Sequence, residues 1–438
     1  MNKNISINSD KKTKKTITIG THNGLFHCDE VVACALLSMF IQNLYGEEVD
    51  INIIRTRDLS ILEKCDISVD IGEGKYDHHY TGFNEKRDGE NGEMYASAGL
   101  VFKYFGRQLI VYIKEDIARE ISKSDVAVKE NQEIEDMTEG KINSLYKEID
   151  EEIIKPIDMQ DNGKQDTAHY FDFIPLFNPS WHEEQSLKNF DKSFERALDL
   201  TIQTLKNYFN KKILNKEGIK DEEENSAEEL NFQAIVEEYL PIISNNMRAT
   251  LEDNTDSNEV CKVSPELIDY VESKIEPFIS SHDFSIYSEE VKELIIKQKI
   301  HKIVDDFYSA PVMKKIINKA QLSQHSILEI PSQTINWEET ICQANEQNEK
   351  NGKKERIDFV IYPYPNGGYA LQCVPKSNSK EDKYTKRISL LKKDKLPDGI
   401  TKIHPNLFFA TGEYDALIKL AEEAIKLEVE KDSKGIEH

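Results

Sequence analysis

A repeated switch between short apolar strands and helical stretches near the start of the chain constrains its fold more than any other feature. Residues 16–20 (TITIG) alternate with the period of a half-buried strand, and the apolar run from Val31 to Leu44 is long enough for a buried helix. Val49 to Ile54 (VDINII) reads as the next strand, and Asp58 to Lys64 as a short helix opened by an acidic N-cap. Asp66 to Ile71 (DISVDI) reads as a third strand. Strands joined through crossover helices run in the same direction. The series therefore predicts an α/β fold with a parallel sheet and a ligand site beyond the carboxyl ends of its strands, where His22, Arg55 and Asp70 fall.

Helical patterns continue over Ser97 to Ile110, Ile142 to Ile154 and Phe190 to Phe209, the last with clear amphipathic spacing, and these are expected to cover the sheet. Asn215 to Asn231 and Glu252 to Glu259 are acidic and polar, and read as solvated insertions. Asn231 to Asn246 and Ser264 to Lys319 read as further helices. Beyond Asn351 the pattern turns to strands: IDFVIYPY, a glycine turn at Gly367 and Gly368, and YALQCVPK make a hairpin, with a closing helix from Tyr414 to Leu427. The expected organisation is a tail (1–15), a parallel-sheet domain (16–210), a helical region with acidic insertions and a linker (211–350), and a smaller α+β domain (351–438).

At 438 residues the chain exceeds one typical core, in keeping with two domains. Its 80 Asp and Glu outnumber 56 Lys and Arg, and a net charge of -24 excludes a protein whose whole surface coats nucleic acid, leaving room for a local basic groove. No apolar run approaches the roughly 20 residues of a membrane span, so no membrane partner is expected. The first residues lack the apolar stretch of a secretory signal, and an intracellular protein is expected. The 6 cysteines are scattered without a CxxC pair, which argues against a zinc ribbon and for free thiols.

Histidine and aspartate concentrate in four segments: THNGLFHCDE (His22, His27, Asp29), SVDIG (Asp70), KYDHHY (Asp77, His78, His79) and MQDNG (Asp161). Mixed imidazole and carboxylate sets suit divalent transition metals, because each donor offers a lone pair and the carboxylates offset the ion's charge. The set exceeds the needs of one ion. Two ions about 3.5–4 Å apart that share a carboxylate would clamp the attacking and leaving oxygens of a phosphoryl displacement. Each residue alone has an ordinary structural reading, as a helix cap, a turn or a satisfied core group; their convergence on one edge of one sheet does not.

GTHNGLFHCDE, VDIG followed by YDHH, and DNG resemble the metal motifs of the DHH phosphoesterase superfamily, and more narrowly the melanocyte-proliferating-gene family of predicted metal-dependent hydrolases. The narrower resemblance extends to IIRTRD (Ile53 to Asp58), YASAGLVFKYFG (Tyr95 to Gly106), LFNPSW (Leu176 to Trp181), FERALDL (Phe194 to Leu200) and LQCVPK (Leu371 to Lys376). It omits the start and the region from about Lys211 to Arg356, which looks expanded. The resemblance implies a DHH-type parallel-sheet domain with a smaller substrate-binding domain. It also implies a manganese-dependent phosphodiesterase, with Mg2+ as the alternative ion, acting as a 3′–5′ exonuclease on single-stranded RNA or DNA in mitochondrion or nucleus. A pyrophosphatase or small-nucleotide phosphatase is one alternative; a metal-binding module without turnover is the other.

By the same resemblance His22, His27 and Asp70 hold one ion, and Asp29, Asp70, His78 and Asp161 the other, with Asp70 bridging. His27 stands where many superfamily members have aspartate, and imidazole as the softer donor favours manganese. Asp77 is expected to orient His78, and His79 to donate toward phosphate. Arg55 and Arg57 are expected phosphate contacts, since guanidinium forks match phosphate oxygens; Lys376 and Arg387 are expected substrate clamps from the small domain. Cys28 is expected to pack, and Ser97 to cap its helix. Family members carry a glycine loop before the last helix; here Thr411 and Gly412 run almost straight into it, which predicts weaker substrate affinity with the chemistry kept.

The run from Lys216 to Glu229 holds too little apolar surface to order itself, so its deletion should leave activity unchanged and limited proteolysis should nick there first. A collapsed deletion variant would show instead that this run docks on the core.

Overall fold

The structure is a computed structural model that describes residues 14–80, 82–87, 92–122, 134, 137–163, 170–214, 232–251, 263–281, 284, 286–377, 388–391, 395–403 and 408–434. Both polar insertions, most of the lysine-rich run before residue 395, and Arg387 lie outside the described residues.

Strand β1 (Lys15–Thr21) lies between β2 (Val49–Arg55) and β3 (Ile67–Ser68), parallel to both. Helix α1 (Cys28–Tyr45) is the crossover between β1 and β2, and its unbroken apolar run is buried on nearly every side, as the lack of periodicity requires. The short helix α2 (Leu59–Leu62) opens on Asp58, whose carboxylate accepts the Ser60 N–H at 2.9 Å. The third strand is shorter than its sequence suggests. After Ser68 only Val69 bridges to Tyr76, and Asp70 takes a φ of 59°, so the chain leaves the sheet where a strand pattern would continue it.

Helix α3 (Ser97–Ile121), α4 (Glu139–Ile149) and α5 (Lys155–Asp161) pack over this sheet, with a π-helical turn at Asp150–Ile154 joining the last two. Helix α6 (Leu187–Leu214) closes the same core through Phe194, Ala197 and Leu205. Helices α7 (Phe232–Leu251) and α8 (Pro265–Ser281) pack with α9 (Glu289–Lys319) around a second core that includes Leu240, Val271, Ile300 and Val304.

The 31 residues of α9 give a rod about 46 Å long at 1.5 Å per residue. Its apolar side chains serve three cores in succession: Val291 and Ile295 the first, Ile300 and Val304 the second, Met313 and Ile317 the third. That third core belongs to a mixed five-stranded sheet in the order β4 (Ser326–Glu329), β5 (Ile357–Pro363), β6 (Tyr369–Cys373), β8 (Phe409–Gly412), β7 (Ile400–Ile403). Helix α10 (Glu338–Lys350) contributes Ile341 and Cys342 to one face, and α11 (Tyr414–Lys434) contributes Leu417, Leu420, Ala421 and Ala424 to the other.

The hairpin forms as its glycine turn requires, with Tyr362 opposite Ala370, and Gly367 and Gly368 both at positive φ. The boundary expected at residue 351 is displaced. Strand β4 pairs in parallel with β5, and the Asn345 side chain holds both backbone groups of Ile357 at 2.8 and 2.9 Å, so the stretch read as linker belongs to the second sheet. The molecule is thus mixed α/β, with one parallel sheet and one mixed sheet. Among the described residues no helix is long and apolar enough to cross a membrane.

A Cβ added at Gly99 in the first turn of α3 would collide with the buried Asp158 carboxylate. The carboxylate accepts the Gly99 N–H at 2.9 Å and cannot swing away without losing it. Gly99→Ala should cost on the order of 1–3 kcal/mol in urea unfolding; a change below about 0.5 kcal/mol, the scale of an ordinary surface substitution, would contradict this packing.

Candidate metal centre

Strand β1 delivers His22 to the edge of the parallel sheet. The loop that follows is fixed through its backbone. The Gly24 carbonyl accepts Arg55 Nη2 at 2.7 Å, Phe26 is fully buried, and His27 caps α1. The His27 N–H donates to the Glu30 carboxylate at 2.9 and 3.0 Å, closing a capping box that leaves the His27 ring 62% exposed. Glu30 is itself buried, and its Oε1 lies 3.0 Å from His22 Nε2.

Asp70 is the hub. Its Oδ2 lies 3.3 Å from His22 Nε2, while its Oδ1 lies 3.1 Å from His79 Nδ1, 3.4 Å from His78 Nδ1 and 3.1 Å from the Ser97 hydroxyl that donates to it. The left-handed backbone at Asp70 aims this carboxylate back across the strand ends. Asp77 pins the next turn: its Oδ2 accepts the Glu73 N–H at 2.7 Å and its Oδ1 the His79 N–H at 3.0 Å.

The first turn of α3 presents donors with no partner inside the helix. Asp29 accepts the N–H of Ser97 at 2.9 Å and of Ala98 at 2.7 Å, and Asp158 takes that of Gly99. Two buried carboxylates thus sit on a helix N-terminus, where the helix dipole favours negative charge. Arg87 offsets the second, reaching Asp158 at 2.8 Å and gripping Asp150 through two nitrogens at 2.8 Å. One helical turn beyond Asp158 in sequence, Asp161 meets His78 Nε2 at 2.8 Å.

Burial pushes the Asp29 carboxyl well above the usual range, and the negative charges of Asp161, Asp70 and Asp158 add to that against the Ala98 N–H. Burial alone would raise Asp70 too, but His79 and His22 hold it well below the usual range. Desolvation disfavours a charged His79, yet Asp70 and Asp77 carry its pKa to about 11, so it is an imidazolium at neutral pH.

Donor atoms gather in three sets, each within 4.8 Å: His22, His27 and Glu30; Asp29, His78 and Asp161; Asp70, Asp77, His78 and His79. Carboxylate oxygens and imidazole nitrogens so grouped have the chemistry of a divalent transition-metal site. Asp29 remains able to contribute, since each of its bonded oxygens keeps a second lone pair.

The structure therefore brings together His22, His27, Asp29, Asp70, Asp77, His78, His79 and Asp161. Asp77 stands differently from the expectation: its carboxylate faces His79 Nδ1 at 3.1 Å, while His78 meets Ser97 and Asp161. Arg55 is used elsewhere. With its side chain 3% exposed, it pairs with Asp191 at 2.8 Å and lies over the Phe194 ring, so it fastens α6 to the His22 loop instead of facing a substrate. Arg57 does reach the cluster, with Nη2 3.3 Å from His22 Nδ1. Lys376 borders a pocket of the second sheet with Glu346, Glu349 and Arg356.

Ser97 is the first residue of α3 and not its cap: Ala96 occupies the cap position, and the Ser97 hydroxyl serves Asp70 and His78. Cys28 is buried against the Phe171 carbonyl. Three further groups belong here. Neither Glu30 nor Asp158 was singled out from the sequence; Glu30 enters through its 3.0 Å approach to His22 and Asp158 through its bond to Gly99. Lys402 comes from β7; desolvation and then Arg57 lower its ammonium pKa against the pull of Asp70 and Asp77.

Fold and site together define an α/β protein with a buried carboxylate and imidazole cluster at the strand ends of its parallel sheet. Residues 18–248 match the MYG1 exonuclease family model, described as an uncharacterised protein family (UPF0160), and the chain belongs to that family. Relatives include the MYG1 protein of Dictyostelium discoideum, 30% identical over 42% of this chain and 53% of that protein. The MYG1 exonuclease of Homo sapiens is 32% identical over 42% and 47%. That of Bos taurus is 31% identical over 42% and 46%. The chain spans about half the length of the curated relatives it matches. No solved structure matches it.

Burial raises Asp158 to about 7 from 3.8, against the pull of Arg87 and the Gly99 N–H. Between those values the folded chain holds a proton that the unfolded chain releases, so this carboxyl's contribution is present below about pH 4 and lost as pH rises through about 7. In metal-free protein, Asp158→Asn should remove that part of the decline, measured by denaturant unfolding across the window. Parallel stability profiles for variant and parent would contradict it.

Proposed function

We propose that this chain is a manganese-dependent phosphodiesterase that removes nucleotides from the 3′ end of single-stranded RNA, built as a DHH-type metal domain with a smaller substrate-binding domain. The observation that carries this reading is the Asp70 carboxylate, which turns one oxygen to His22 and the other to His78 and His79. A single carboxylate between two donor sets is what a pair of ions a few ångströms apart requires. Membership of a family whose relatives include proteins named exonucleases supports the nucleic-acid substrate.

In this reading His22, His27 and Asp70, joined by Glu30, hold one ion, and Asp29, Asp70, His78 and Asp161 the other. Bound divalent ions supply an acidified water and compensation for charge that develops on the phosphoryl oxygens. The chain's own groups do the rest. His79, oriented by Asp77, donates a hydrogen bond to a non-bridging phosphate oxygen. Arg57, and Lys402 from the second sheet, add positive charge beside Asp70, which a chain of net charge -24 needs to admit a polyanion. The expected substrate clamps Lys376 and Arg387 belong to the same reading, Arg387 lying outside the described residues.

Digestion of 5′- and 3′-labelled RNA and DNA with Mn2+ tests the reading. The parent should release mononucleotides from the 3′ end of RNA, and Asp70→Asn should lose more than about 100-fold in rate together with Mn2+ binding in calorimetry, a larger loss than outer-shell changes cause. Turnover of pyrophosphate or mononucleotides alone would replace the substrate class. Mn2+ binding with no hydrolysis would identify a non-catalytic module.

A further inference from the structure

The loop that carries His22 and His27 is held by a segment on which the second sheet also rests. Asn178, just after the single helical turn Ile174–Phe177, faces Phe26 with its amide group. Its Oδ1 accepts the Phe26 N–H at 3.1 Å, and its Nδ2 donates to the Phe26 carbonyl at 2.8 Å. This reciprocal pair occupies both backbone groups of the residue before His27. Phe26 is fully buried against Phe194, so the amide fixes a backbone that side-chain packing has already confined.

Seven residues further on, Gln185 bonds in two directions. Its Nε2 donates to the Ser180 carbonyl at 2.7 Å, bracing the turn, and its Oε1 accepts the Ser332 hydroxyl at 3.0 Å, from the stretch that follows β4 in the second sheet. Between these ends Trp181 packs on the core of that sheet, and His182 meets the buried Asp305 of α9 at 3.2 Å. Residues 178–185 therefore touch the His27 loop at one end and the second sheet at the other.

We propose that this segment is a coupling strut, in which Asn178 is a positioning residue that sets the His22–His27 loop and Gln185 and Trp181 tie that setting to the second sheet. A ligand that moves the second sheet would then alter the donors at His22 and His27. This rests on the metal reading only for its functional consequence, because the mechanical link is a property of the chain itself. A group that acts on metal donors from one contact away characteristically shifts metal affinity by about 10–100-fold.

The test uses the full metal-free chain with Asn178→Ala, Asn178→Asp and Gln185→Ala, read by hydrogen exchange over residues 22–30 and by Mn2+ calorimetry. Asn178→Ala should speed exchange at Phe26 and His27 and weaken Mn2+ binding about 10-fold. Asn178→Asp keeps the acceptor for the Phe26 N–H and loses the donor, so it should fall between Asn178→Ala and the parent, and it decides the matter if Asn178→Ala does not fold. Gln185→Ala touches none of the donors, and it should also speed exchange at Phe26 and His27. If Gln185→Ala loosens only the Ser332 region and leaves residues 22–30 at the parental rate, the coupling is wrong. Unchanged Mn2+ affinity in the Asn178 variants would remove the positioning role. A parent that binds no Mn2+ would defeat the metal reading, and the exchange rates would still decide the strut.

Discussion

Six carboxylates crowd the edge of the parallel sheet, those of Asp29, Glu30, Asp70, Asp77, Asp158 and Asp161, and five of them are buried. Like charges so close and so dry repel strongly, and the surrounding structure is arranged to answer that repulsion. The N-terminus of α3 gives three N–H groups to Asp29 and Asp158, Arg87 spans Asp158 and Asp150, and His79 sits protonated between Asp70 and Asp77. The positive φ at Asp70, the missing side chain at Gly99 and the π-helical turn before Asp158 are the local conformations that let these groups meet.

That arrangement compensates some of the carboxylates and leaves others for another cation. Asp77 is answered by the chain, through backbone N–H groups and His79, whereas Arg87 and the Gly99 N–H offset the burial of Asp158 only in part. Asp29 stays pushed well above the usual range by its neighbours even with two backbone donors. Proton binding relieves that strain in the free chain, and divalent ions would relieve it more completely, because they are attracted by every carboxylate at once. Arg57 lies close by, 3.3 Å from His22, and Asp70 and Asp77 attract the Lys402 ammonium.

The parts of this molecule that were legible in the sequence are those where a single physical rule dominates. Alternating strands and the unbroken apolar helix from Val31 gave β1, α1 and β2, and the bunching of His and Asp at strand ends located the cluster. Legibility failed where one residue type serves two purposes. Glu30 completes the capping box of His27 from inside α1, and its approach to His22 depends on tertiary folding. Arg55 follows a strand as a phosphate-binding arginine would, but Asp191 lies far away in sequence and claims it. Helix α10 is rich in Gln, Asn and Glu and reads as linker, because Asn345 buries its amide on the backbone of Ile357, a pairing that apolar periodicity cannot reveal.

The central claim is that this cluster takes two ions that share Asp70. Anomalous diffraction from crystals grown with Mn2+ measures it most directly. The account predicts two peaks about 3.5–4 Å apart, one beside His22 and His27, the other beside Asp29, His78 and Asp161, with the Asp70 carboxylate between them. A single peak, or manganese bound away from Asp70, would contradict it.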